Sequence, residues 1–233
     1  MDYMEESSST SKPPDIYSGI HKGQRLALYR LAMRVGALDH ADKKAVEAFR
    51  RDITDLREEF FLHADHEEKM LHPFMQDRVP GMARDLEEDH RNMHLMFDDL
   101  VRHFDGIADR VATYERRDEL CLEYYRAVNR FISFYLAHID KEEEKVQPAL
   151  WAVCTPGELG AAFAKILSSQ TPKEAQLNLT IMFSAMNIGE LTNLLMAAKH
   201  VVTPQMLSAV RDIAKGTLDP QAWDALRSRA GLE

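Results

Sequence analysis

Histidine and glutamate recur at one-turn spacing in three places along the chain: His63 with Glu67, His90 with His94, and His138 with Glu142, preceded by a lone His21. Residues four apart on an α-helix lie one above the other on the same face, so each pair can offer two donor atoms in one direction. Imidazole and carboxylate suit borderline divalent ions. Five imidazoles and two carboxylates, each carboxylate able to bridge, suit two such ions. A single pair of this kind is weak evidence, because it also arises on solvated, charge-rich helix faces. Three pairs on three successive helices are stronger, and they point to a dinuclear metal site with His21, His63, Glu67, His90, His94, His138 and Glu142 as its ligands.

Helices are required to bring these residues together, and the apolar pattern supplies them. Ile20, Leu28, Leu31, Ala32 and Val35 mark a first helix from about residue 16, with Gly36 as its stop. Val46, Phe49, Ile53, Leu56, Phe60 and Leu71 mark a long second helix to about Gln76. Val79-Pro80-Gly81 breaks the chain, and Met82, Leu86, Met93, Phe97, Leu100 and Phe104 carry a third helix to about Ile107. Leu120, Tyr124, Val128, Phe131, Phe134 and Tyr135 carry a fourth from about Thr113 to Val153, with Pro148 expected to kink or fray its last turns. Short links between such helices predict an all-α, up-down-up-down four-helix bundle. In that topology His21 and His90/His94 lie near the starts of odd helices and His63 and His138 near the ends of even ones. All the proposed ligands then fall at one level, beside Phe60, Phe61, Phe131, Phe134 and Tyr135, which would keep the pocket dry.

Other histidines fit less well. His66, three residues after His63, is close enough to compete as a ligand or support one; His72 and His103 fall off the common level and read as surface or structural. His40 lies in a linker and His200 in the C-terminal region. Glu143, five residues after His138, is a second usable offset for a bridging carboxylate. A ferritin-like di-iron oxidase would need two E-x-x-H motifs, and only Glu87-x-x-His90 has that form.

After Cys154 the pattern changes to short helices with repeated start signals at Thr155-Pro156, Thr171-Pro172, Thr203-Pro204 and Asp219-Pro220. Gly157-Glu158-Leu159 followed by Thr171-Pro172 recurs 32 residues later as Gly189-Glu190-Leu191 followed by Thr203-Pro204, with Asn187 in the capping place of Thr155. This predicts a duplicated two-helix unit and a last helix around Trp223. The expected organisation is a disordered tail over 1–15, a bundle over 16–154, and a helical extension over 155–233 that packs on the bundle or makes a homo-oligomer contact.

Composition narrows the remaining classes. A chain of 233 residues with 45% hydrophobic content can bury an ordinary core. A net charge of −9 with no basic cluster argues against nucleic acid as a partner. The most apolar stretch, Leu177 to Ala198, is interrupted by Asn187 and Glu190, so no membrane span is expected. Cys121 and Cys154 form no C-x-x-C motif and read as small apolar residues. An acidic, serine-rich N-terminus is unlike a secretory leader, and a cytoplasmic location is expected.

The motif set as a whole resembles hemerythrin, specifically the hemerythrin-like (HHE) cation-binding domain in its bacterial form, over about residues 16 to 152. That family shows a lone His, then H-x3-E, then H-x3-H, then a His followed by an acidic residue. The resemblance implies that His90, His94 and His138 bind one iron, that His21 and His63 bind the other, and that Glu67 and Glu142 bridge. It further implies an oxo- or hydroxo-bridged di-iron centre with an open position for O2, peroxide or nitric oxide; zinc or manganese also suits these donors. Oxygen-carrying members place an Asp five residues after the last His, where Glu143 stands here. Binding for sensing, storage or detoxification, turnover of peroxide or nitric oxide, and an iron-responsive interaction module all draw on this same ligand set.

Overall fold

The computed structural model describes residues 13–109, 114–198 and 203–232, which form helices joined by short turns, with no strand among them. Four rods make the part that carries the histidines. The first is α1 (Ser18–Gly36). The second is α2 (Lys43–His66), continued by a π-helical turn (Glu67–Leu71) and α3 (His72–Gln76). The third is α4 (Met82–Asp109), and the fourth is α5 (Tyr114–Lys141), continued by a second π-helical turn (Glu142–Val146) and α6 (Gln147–Val153). Asp42 caps α2 by accepting from the backbone N–H groups of Lys44 and Ala45. The break before α4 turns on Gly81 at φ +92°, a conformation that only glycine takes without strain.

Neighbouring rods run in opposite directions, as their side-chain contacts show. Phe60 meets Phe97 while Phe49 meets Phe104 between α2 and α4, and His90 meets His138 while Phe104 meets Tyr124 between α4 and α5. Arg34 pairs with Asp52 at the far end of α1 and α2 from the His21–His63 contact. The shared interior of these rods is aromatic: Phe49, Phe60, Phe97, Phe104, Tyr124, Phe131 and Tyr135 are all buried. Each such side chain contributes about 1.5–3 kcal/mol by burial.

The prolines act differently from the expected kink. Pro73 and Pro148 each follow a π-helical turn by two residues. Proline has no N–H for the i−4 carbonyl and its ring crowds that carbonyl, so one wider turn lets the rod continue past it.

The five start signals after residue 154 all head helices: α7 (Pro156–Ser169), α8 (Pro172–Ala185), α9 (Ile188–Ala198), α10 (Pro204–Thr217) and α11 (Pro220–Ala230). Thr155 with Glu158, Thr171 with Glu174 and Asn187 with Glu190 form reciprocal caps. Leu159 of α7 joins a buried cluster with Tyr17, Leu71, Met75, Leu86 and Leu150, which closes the histidine end of the bundle. Helix α8 lies across α1 so tightly that a Cβ on Gly23 would meet Cγ2 of Ile181 at 1.9 Å. Helices α8 to α11 share a core of their own around Phe183, Leu191, Leu195 and Leu226.

The expected N-terminal tail falls mostly on residues 1–12, outside the described residues, as does His200. From Pro14 the chain is tied to α6: the Trp151 indole donates to the Pro14 carbonyl at 3.0 Å, and Ile16 N–H donates to Gln147 Oε1 at 2.9 Å. No helix among the described residues is long and apolar enough to cross a membrane.

Candidate metal centre

The antiparallel rods bring early positions of α1 and α4 level with late positions of α2 and α5. His21 and His63 meet with ring centroids 5.5 Å apart. His90 and His138 meet at 4.8 Å, with their Nε2 atoms 3.1 Å apart. Two carboxylates stand between these pairs. Glu67 sets Oε1 3.3 Å from His63 Nε2 and Oε2 3.4 Å from His90 Nε2. Glu142 sets Oε2 3.3 Å from His21 Nε2 and 3.5 Å from His138 Nε2. Two donor groups result, His21/His63/Glu67/Glu142 and Glu67/His90/His138/Glu142, each with its donor atoms all within 4.8 Å of one another. The groups share both carboxylates.

The outer nitrogens are held by a second ring of carboxylates. His21 Nδ1 lies 3.0 Å from Glu143, which Arg25 grips at 2.7 and 2.9 Å. His90 Nδ1 lies 3.0 Å from Glu68, and His138 Nδ1 lies 3.3 Å from Asp89, itself paired with Lys141. An imidazole that donates from Nδ1 keeps the Nε2 lone pair turned inward, which is how metal-binding histidines are oriented. Burial works against a proton on His21, but the neighbouring carboxylates of Glu142 and Glu143 outweigh it and hold the metal-free ring's pKa up to about 9. For His90 burial is likewise outweighed, chiefly by Glu67, and its pKa is also about 9. His63 is pushed down to about 4 by burial, which the charge of Glu67 does not offset.

A repeat along the chain lies behind this arrangement. His63, Asp65, Glu67, Glu68 and Pro73 recur 75 residues later as His138, Asp140, Glu142, Glu143 and Pro148. Each Glu of the H-x3-E pair is the first residue of a π-helical turn. The next Glu in each copy reaches across to a histidine of the neighbouring odd rod, Glu68 to His90 and Glu143 to His21. Glu143 therefore supports His21 from outside, and Glu142 is the carboxylate that faces both pairs.

His94, expected as a ligand, is not brought into either donor group. It sits one turn beyond His90, level with Phe61, and its ring stacks there at a centroid distance of 3.8 Å, with the Arg57 guanidinium also on Phe61 at 4.1 Å. Antiparallel packing accounts for this, since moving on along α4 means moving back along α2, away from Glu67. In the repeat His94 stands where Arg25 stands, each four residues after the histidine of its rod. His66 faces Glu174 of α8 at 4.0 Å instead of the site. His72, expected off the level, is 2% exposed and stacks on His90 with ring centroids 5.5 Å apart. The π-helical turn brings it there, and α-helical periodicity does not anticipate it. Tyr17, one turn before His21, is also buried, its hydroxyl 3.9 Å from Met75 Sδ.

Two further buried polar side chains lie one turn from the His21/His63 pair, toward the aromatic core. Gln24 follows His21 by three residues and Glu59 precedes His63 by four; both amide atoms of Gln24 and one oxygen of Glu59 lack a hydrogen-bond partner. Beside the other pair the repeat has Met93 and Phe134. Burial pushes Glu59 up to about 8, so it is protonated in the fold at neutral pH and ionised in the unfolded chain. The folded state thus binds an extra proton between the ordinary carboxyl range and pH 8, and stability falls as pH rises through that window. The cost at pH 7 is on the order of 3 kcal/mol. Glu59→Gln is expected to melt higher than the parent, by a margin that grows from pH 5 to pH 8 in paired thermal melts. A margin independent of pH would show that Glu59 is charged in the fold.

The residues present fit a metal cation. His21, His90, His138 and Glu142 are at most 2% exposed. His21 Nε2, His63 Nε2, one oxygen of Glu67 and both of Glu142 are buried without hydrogen-bond partners. Such atoms cost several kcal/mol unless something satisfies them, and a cation among them satisfies all at once. No curated protein and no solved structure matches the chain. A family model, the Hemerythrin HHE cation binding domain, matches residues 14–150, which takes in the first three rods, the fourth up to the middle of α6, and every residue of the centre. The chain belongs to the hemerythrin HHE cation-binding family and carries a His/carboxylate cation site inside its helical bundle.

Proposed function

We propose that this protein holds two iron ions, one at each donor group, and binds O2 or a related small species such as peroxide or nitric oxide at one of them. The observation that carries the reading is the placing of Glu67 and Glu142, each of which turns toward an imidazole of both pairs. His21 and His63 would hold one ion, His90 and His138 the other, and the two carboxylates would join them. Bound iron supplies the electrons for chemistry with O2. The chain's own residues do the rest. Glu143, Glu68 and Asp89 fix the direction of the imidazoles, and the aromatic interior on one side and the Leu71–Leu159 cluster on the other exclude water. Gln24 and protonated Glu59 set a hydrogen-bond donor and a proton beside the His21/His63 pair, so the small molecule is expected there. The other pair has Met93 and Phe134 at those positions.

Aerobic loading of the purified chain with ferrous iron tests the reading. About two irons per chain and a visible charge-transfer band are expected; at most one ion, or a colourless iron-loaded protein, would overturn it. Reversible spectral change on cycling O2 marks a binder, and steady-state consumption of peroxide or nitric oxide marks an enzyme.

A second reading, an iron-responsive interaction module, is favoured by the seating of α1. The residues that follow His21 are Lys22, paired with Glu190 of α9, and Gly23, pressed on Ile181 of α8. Occupancy at His21 would then bear on the C-terminal helices and on any partner or second copy they meet. Metal-dependent protease resistance confined to those helices is its expected sign.

A further inference from the structure

Both ring nitrogens of His72 are buried and neither has a hydrogen-bond partner. A neutral imidazole carries one donor and one acceptor, and leaving both unmet in an interior is unfavourable by several kcal/mol. The nearest carboxylate, Glu87, is 3.6 Å from Nδ1. The ring lies nearly parallel to His90, at an interplanar angle of 13°.

The backbone accounts for its position. His63 and Glu67 are four apart on an α-helix, and Glu67 and His72 are five apart across a π-helical turn. An i→i+5 turn keeps residues five apart on one face, where α geometry would turn them about 140° apart. His63, Glu67 and His72 therefore form a single line of donors. The other copy of the repeat has Gln147 at this place, and its Oε1 accepts from the Ile16 backbone N–H at 2.9 Å. Gln147 is committed to the fold, whereas His72 has no such partner.

We infer that His72 is the third imidazole for the ion held by Glu67, His90, His138 and Glu142, the place that motif spacing alone assigns to His94. The inference rests on the two-ion reading above. It gives the second ion five protein donors and the first only four, which leaves the open position at the His21/His63 pair beside Gln24 and Glu59. The polarity of the surroundings and the count of donors then agree on where a small molecule enters.

The test compares the metal-free full chain with its His72→Ala, His72→Gln and His94→Ala variants, titrated with cobalt(II) as a spectroscopic probe and with ferrous iron for stoichiometry under chelator competition. Circular dichroism and thermal melts of each metal-free variant check that the fold is kept, and His72→Gln copies a side chain that the other half of the repeat already accommodates. Both His72 variants are expected to bind the first ion as the parent does. They should lose about 100-fold or more in affinity for the second, with an altered cobalt spectrum for that ion only. His94→Ala is expected to bind both with parental affinity. Two ions bound at parental affinity by both His72 variants would overturn the inference alone, as would loss of the second ion in His94→Ala. Fewer than two ions in the parent would overturn the two-ion reading and the inference with it.

Discussion

Glu142→Leu is expected to weaken binding of both ions by at least 100-fold, while Glu143→Gln weakens one ion by about 10- to 100-fold. Glu142 is fully buried and its Oε2 faces His21 and His138, one imidazole from each pair, so removing it strips a donor from both groups. Glu143 holds only the outer nitrogen of His21. The same substitution also acts on the metal-free fold. There Glu142 stands beside the buried, protonated ring of His21, so a leucine removes one partner of a buried pair. Metal-free Glu142→Leu should therefore melt lower than the parent while failing to respond to metal. Metal content after dialysis and paired melts check both halves. Retention of both ions by Glu142→Leu, or loss of both in Glu143→Gln, would reverse the roles assigned to these neighbours.

Loading the metal-free chain is expected to raise its melting temperature on the order of 20 °C. Each ion present at a thousandfold excess over its dissociation constant adds about 4 kcal/mol. Two such terms in a chain of this size correspond to roughly that shift at 2–4 °C per kcal/mol. Loading should also release about two protons at pH 7, because His21 and His90 hold protons up to about pH 9 before metal arrives. The sign of the pH effect on the metal-free protein follows. The stabilisation from His21 and His90 is fully present below their ordinary pKa and is lost as pH rises through 9. His63, held at about 4, acts oppositely, since its contribution is lost as pH falls from its ordinary value toward 4. Metal-free protein should thus melt lower at pH 9 than at pH 6.5, and loaded protein should lose less over that range. Scanning calorimetry with proton counting in weak buffer measures both. A melting temperature unmoved by metal, or loading without proton release, would contradict the site's role in stability.

Much of this was legible along the chain because helices have one period. Four rods, their ends and their antiparallel sense follow from apolar stripes, the Val79-Pro80-Gly81 break and short links, and depth then follows by counting residues from each end. That was enough to place His21, His63, Glu67, His90, His138 and Glu142 at one level, where the structure has them. The caps at Thr155, Thr171, Asn187, Thr203 and Asp219 were legible for the same reason, since a cap is a contact among residues within one turn.

What was not legible depends on departures from that period or on which rod lies alongside which. His94 satisfied the spacing rule, but only packing against α2 shows that its level is that of Phe61. His72 failed the spacing rule because counting at 3.6 residues per turn cannot foresee a π-helical turn. Two clues were present, a proline two residues beyond each π-helical turn and the 75-residue repeat, which sets His72 and Gln147 in equivalent places.

The sequence by itself therefore determined the chemistry available, namely imidazoles and carboxylates on the inner faces of four helices, because donor type and helical face are local properties. The tertiary structure decided which of those donors share a centre, that Glu142 and not Glu143 faces both pairs, and that His72 takes the place beside His90 while His94 lies on Phe61. These outcomes rest on distances between rods and on the widened turns within two of them, and neither quantity is fixed by any short stretch of chain.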